Sequence, residues 1–158
     1  MTGFTAAAGL ATRDGGLTVA TVPTRLRLLL VDDDEINRDI VLLMLDRLDQ
    51  HADAAGNGIE ALAAVRSMQY DVVLMDIHMP GMDGLEATCR IRSELSETVQ
   101  PAIIAMTANV TVEDHVVFLR TGMDDVLSKP VRMRELAAVL ENRGPRDGGA
   151  IGLVPDNP

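Results

Sequence analysis

From Leu26 onward, apolar runs of strand length alternate with stretches whose apolar residues recur at helical spacing. Residues 26–31 (LRLLLV) predict a strand. Ile36, Ile40, Leu43 and Met44 follow at i, i+4, i+7 and i+8, the spacing of one face of an amphipathic helix. Residues 52–55 predict only a weak strand, because alanines stand where larger side chains are expected. Residues 58–68 read as a helix. DVVLM at 71–75 predicts a second buried strand, followed by the turn PGMDG and a helix carrying Leu85, Thr88, Ile91 and Leu95. AIIAM at 102–106 predicts another strand, and the helix after it, from about 111 to 121, stops at Gly122. Val126 and Leu127 mark a last short strand before Lys129-Pro130. Met133, Leu136 and Leu140 mark the closing helix, which ends at Gly144-Pro145.

This alternation is (βα)5. Continuous apolar strands with helices between them predict an α/β fold, a doubly wound parallel sheet covered on both faces. In such sheets, sites form beyond the carboxyl ends of the strands, near the reversal of strand order. Residues 25–143 form the expected domain. Residues 1–24, rich in Ala, Gly and Thr without a period, are expected to be a disordered extension or linker. The Gly- and Pro-dense segment 144–158 is expected to be a disordered tail.

Polar residues stand where that rule places a site. The run LLLVDDDE drives four apolar residues into four acids with no turn residue between them, so Asp32 and Asp33 follow the first strand. Asp76 follows DVVLM, Thr107 follows AIIAM and Lys129 follows the last strand. Each alone has an ordinary explanation as a helix cap or a solvated side chain. Together, in order, at the same end of one sheet, they point to a site. Like charges about 4 Å apart repel by roughly 4 kcal/mol at an effective dielectric near 20, and a hard divalent cation with oxygen ligands offsets that cost. Mg²⁺ held by a few carboxylates and several waters fits this donor set. A carboxylate also serves as a nucleophile that forms an aspartyl phosphate. The chemistry read from these residues is Asp76 accepting a phosphoryl group, Asp32 and Asp33 holding the metal, and Lys129 and Thr107 neutralising phosphoryl oxygens.

Composition narrows the alternatives. Aromatics are limited to Phe4, Tyr70 and Phe118, so Leu, Ile, Val, Met and Ala must fill the core. A formal charge of −10 with no basic stripe argues against nucleic-acid binding. The single cysteine, Cys89, excludes an intramolecular disulfide, suits a reducing compartment, and is expected to be half-buried on its helix. The N-terminal residues make a poor signal peptide and no apolar run is long enough to span a bilayer, so a cytoplasmic setting without membrane insertion is expected.

The motifs VDDDEINR, VVLMDIHMPGMDG, IIAMTAN and GMDDVLSKP, in this order and spacing, resemble the receiver domains of two-component response regulators. The wording is most similar to receivers of hybrid sensor histidine kinases, and the likeness covers roughly residues 26–143. It implies a flavodoxin-like sheet of order 2-1-3-4-5, with the weak second strand at an edge. It implies phosphorylation of Asp76 from a phosphohistidine on a histidine kinase or histidine phosphotransfer domain. It further implies Mg²⁺, or Mn²⁺, on Asp33, on Asp32 directly or through water, on Asp76, and on the backbone carbonyl of His78. Thr107 would hydrogen-bond the phosphoryl group, Lys129 would pair with it, and the Lys129–Pro130 bond is expected to be cis. The downstream protein is unknown, and a homodimer and excision from a hybrid kinase are open alternatives. A phosphoacceptor of this kind is not expected to be an enzyme in its own right.

Two positions depart from the pattern. Val126 stands where receivers usually have a Tyr or Phe, which predicts a weaker or differently routed output rearrangement. Asp34 replaces the usual Asn and is expected to cap the following helix. Val116-Val117-Phe118-Leu119 predicts a helix with one side on the sheet and another that is either a docking patch or ordinary apolar content. Two alternatives compete with a working receiver. One is a phosphate-independent receiver scaffold; the other is a haloacid-dehalogenase-type phosphohydrolase, in which Asp32-x-Asp34 would supply the nucleophile.

Overall fold

The computed structural model describes residues 25–144. Five strands alternate with five helices: β1 (Leu28–Val31), α1 (Glu35–Arg47), β2 (Ala52–Ala55), α2 (Gly58–Ser67), β3 (Val72–Asp76), α3 (Gly84–Glu94), β4 (Ala102–Thr107), α4 (Val112–Thr121), β5 (Asp125–Ser128) and α5 (Met133–Glu141). The strands form one parallel sheet in the order β2-β1-β3-β4-β5, the expected order with the weak strand at an edge. The segments expected to be disordered at 1–24 and from 145 onward lie outside the described residues.

The sheet separates two apolar layers, because successive strand residues face opposite sides. Leu29, Val31, Val73, Met75, Ile103 and Ala105 meet α2, α3 and α4 through Leu62, Val65, Ile91 and Phe118. Leu28, Leu30, Val72, Leu74, Ile104 and Met106 meet α1 and α5 through Val41, Leu45, Leu136, Val139 and Leu140. β1, β3 and β4 are buried along their whole length, which explains their unbroken apolar runs.

Three expectations are corrected. Helix α1 buries Val41 and Leu45, whereas Ile36, Ile40 and Leu43 are 72%, 46% and 66% exposed. The segment IVLLML is apolar on several faces, so more than one face satisfies the helical spacing, and packing of Val41 and Leu45 on the sheet selects the one used. Asp34 accepts hydrogen bonds from the backbone N–H of Ile36 and Asn37 and so marks where the helix begins. Cys89 is exposed, not half-buried, since the sheet-facing positions of α3 are Ala87, Thr88 and Ile91. The ladder of β1 starts at Leu28; Leu26 is buried but gives its N–H to Gln50 Oε1, 2.9 Å away, instead of to a strand.

Register sets the site. Val31 pairs with Met75, so Asp32 and Asp76 emerge side by side. Asp76 pairs with Met106, one residue before Thr107. Thr107 pairs with Ser128, one residue before Lys129.

Candidate functional site

Asp32, Asp33 and Asp76 converge at the carboxyl edge, each offering one oxygen within 4.8 Å of the others. Asp32 and Asp76 are buried and Asp33 is exposed. Asp32 is fixed on both oxygens: Oδ1 accepts the N–H of Asp34 at 2.9 Å and Oδ2 accepts Lys129 Nζ at 3.0 Å. The same ammonium lies 3.0 Å from Asp76 Oδ1. The backbone N–H of His78 reaches that oxygen at 3.3 Å. The Lys129–Pro130 bond is cis, as expected.

Burial raises the Asp76 carboxyl from its ordinary value to about 6. Lys129 works against that rise, while the charge of Asp32 and a hydrogen bond with Asp33 add to it. Burial pushes the Lys129 ammonium down, but its contacts with Asp76 and Asp32 outweigh this and hold it above the usual lysine value. Asp76 is therefore a carboxylate short of cationic partners.

Glycines in the PGMDG turn shape the wall beside it. Gly81 has φ +79°, in the left-handed region. At Gly84, the first residue of α3, a Cβ would run into the backbone carbonyl of Asp76. Its N–H donates to Ile77 O at 3.0 Å, which holds the start of α3 against the end of β3. Thr107 is buried at the same edge, but its hydroxyl donates to the carbonyl of Asn109 at 3.0 Å and accepts that residue's N–H at 3.3 Å. The structure thus brings Thr107 to the site with its proton turned into the following loop.

Sequence reasoning missed Arg38, whose Nη1 donates to the backbone carbonyl of Asp32 at 2.9 Å. The residue stands inside the motif VDDDEINR, but its six-residue spacing from Asp32 carries no signal of a contact with a backbone carbonyl. The second acid of the phosphohydrolase alternative is spent elsewhere, because Asp34 Oδ1 caps α1.

Residues 28–141 match the response regulator receiver domain family. The chain belongs to that family. It is 38% identical over 130 residues to sensor histidine kinase GacS of Pseudomonas protegens, a match covering 75% of this chain and 14% of the kinase. The chain thus corresponds to a small part of that relative's length. The receiver domain of sensor histidine kinase PA1611 from Pseudomonas aeruginosa, solved with a magnesium ion coordinated in its active site cleft, superposes with a TM-score of 0.67 and is 35% identical; the match covers 75% of this chain and 97% of that one. The receiver of Saccharomyces cerevisiae Ssk1, solved with the histidine phosphotransfer protein Ypd1, superposes with a TM-score of 0.67 and is 27% identical, covering 73% of this chain and 86% of that one. The receiver domain family is one of signalling phosphoacceptors. Among the described residues no helix is long and apolar enough to cross a membrane.

Proposed function

We propose that Asp76 is the phosphoacceptor. One carboxylate oxygen attacks the phosphorus of a phosphohistidine, the P–N bond breaks, and its electron pair leaves with the imidazole, which takes up a proton. The observation that carries this reading is the buried Asp76, its carboxyl raised to about 6, beside two further acids and one shared ammonium. Asp32, Asp33 and Asp76 form a hard oxygen donor set suited to Mg²⁺, or to Mn²⁺, with the backbone carbonyl of His78 as a further ligand. When bound, the cation supplies positive charge for the phosphoryl oxygens. Lys129 pairs with a further phosphoryl oxygen by giving up its contact with Asp76. Thr107 exchanges its bond to Asn109 for one to the phosphoryl group.

The donor is a histidine kinase or a histidine phosphotransfer domain, and output passes by protein contact to a downstream protein. The exposed face of α1 suits the donor. Ile36, Ile40 and Leu43 project there, and a cleft of about 150 Å³ between Ile40, Val41, Met44, Pro130 and Val131 runs to Asp32 and Lys129. An apolar helix laid on this face brings a histidine to the rim of the acid cluster. The working domain spans 25–143 and acts in the cytoplasm.

Incubation with acetyl phosphate and Mg²⁺, read by intact mass, tests the reaction. The native chain gains one phosphoryl group and Asp76→Asn gains none. Phosphorylation that persists in Asp76→Asn overturns the assignment.

A further inference from the structure

The β1–α1 turn carries both Asp32 and Asp33, and its backbone leaves the sheet at Asp32. The N–H of Asp32 still donates to Ala55 O at 3.1 Å, but the ladder ends at Val31, so the Asp32 carbonyl has no strand partner. Arg38 supplies one. Its own N–H closes the first turn of α1 on Asp34 O at 2.9 Å, and its side chain reaches back to place Nη1 2.9 Å from Asp32 O. The guanidinium also faces the β2–α2 loop. A Cβ on Gly56 would lie 3.5 Å from Nη1 and 3.5 Å from Glu60 Oε2, and Gly56 itself gives its N–H to that carboxylate at 2.7 Å. The half-buried arginine is therefore held between two loops that flank the acid cluster.

We propose that Arg38 is a positioning residue for metal binding: by holding the Asp32 carbonyl it sets the peptide plane between Asp32 and Asp33, and with it the direction of the Asp33 carboxylate. The peptide unit is rigid, so fixing its oxygen fixes the following N and Cα. Asp33 is exposed and meets Asp76 by a hydrogen bond, whereas Asp32 is fixed on both oxygens by a backbone N–H and an ammonium, so the direction of Asp33 depends more on that plane. A second-layer contact of this kind typically changes metal affinity by about 10- to 100-fold when lost. Electrostatics alone works in the opposite direction. A guanidinium near a cation site repels the incoming ion, so removing it for charge reasons only would tighten binding. The sign of the change separates the two roles.

This inference rests on the proposed metal site, and the experiment keeps the two apart. Mg²⁺ is titrated calorimetrically into the full chain, into Arg38→Met, which keeps the apolar stem, and into Arg38→Lys, which keeps charge and a donor. Circular dichroism confirms folding of each. The expected result is about tenfold weaker Mg²⁺ binding in Arg38→Met, with substantial rescue in Arg38→Lys. Native protein that takes up no Mg²⁺ overturns the proposed function and this inference with it. Native binding with unchanged or tighter binding in Arg38→Met overturns the inference alone. If Arg38→Met does not fold, Arg38→Ala takes its place: weaker Mg²⁺ binding than native supports the inference, and unchanged or tighter binding overturns it.

Discussion

The ammonium of Lys129 lies 3.0 Å from Asp32 Oδ2, a contact spanning 97 positions of sequence. The same ammonium holds Asp76 at 3.0 Å, so one cation from the end of β5 serves two buried acids from the ends of β1 and β3. Replacing it leaves both uncompensated. Breaking a buried pair by removing one partner costs roughly 3–5 kcal/mol, and the partly exposed lysine here lowers that to about 2 kcal/mol. Lys129→Met should show this loss in urea melts with a chelator present, and Mg²⁺ should restore most of it.

Asp76 gives a pH dependence of defined sign. Its folded value of about 6 stands above the ordinary 3.8. Between those values the folded chain holds a proton that the unfolded chain has released, so stability falls as pH rises through this window and the penalty is complete above it. Metal-free Asp76→Asn should therefore be more stable than the parent at pH 8, by roughly 2 kcal/mol. The difference should close as pH falls toward 4 in thermal melts, and Mg²⁺ at pH 8 should also narrow it by favouring the carboxylate.

Gly84→Ala tests the contact between α3 and the site. The added Cβ meets the Asp76 carbonyl, and that backbone atom can move only by shifting β3 or α3. Overpacking of this kind costs about 1–3 kcal/mol. Denaturant melts should show that loss, together with slower labelling of Asp76 by acetyl phosphate.

Val126 leaves an open cleft of about 360 Å³ with Val110, Ser128, Glu135 and Val139 on its walls. With no aromatic ring at that position to move, the response to a phosphoryl mimic should stay in residues 107–111, where Thr107 releases Asn109. Backbone amide shifts on adding beryllofluoride and Mg²⁺ measure this. A large displacement of β5 and α5 would defeat the expectation.

Ile40→Asp separates the donor surface from the chemistry. Ile40 is exposed at the mouth of the cleft beside α1. The substitution should slow transfer from a phosphohistidine protein at least tenfold, about 1.4 kcal/mol, while acetyl phosphate labelling remains near the native rate.

Much of this architecture was readable because the strands are buried on both faces. LLLV, VVLM and AIIAM carry no surface to decorate, and their lengths and order alone place Asp32, Asp76 and Thr107 at one edge. The phase of α1 was not readable, since IVLLML offers more than one apolar face and packing against the sheet decides between them. The role of Arg38 was hidden for another reason. A side chain reaching back six residues to a backbone oxygen leaves no period and no composition signature. The turning of the Thr107 hydroxyl toward Asn109 is likewise a torsional choice that residue type does not encode. Tyr70 shows the same limit: its hydroxyl donates to Asp53 at 2.6 Å, and burial together with that carboxylate raises it to about 12.

The central sheet keeps its two oily interiors from mixing. Leu62 and Ile91 share no neighbour layer with Leu136 and Leu140, so truncations on opposite sides should sum without coupling energy. Surface choices on α1, the proposed donor face, are for the same reason free to diverge from those on α4 without a compensating repair across the strands.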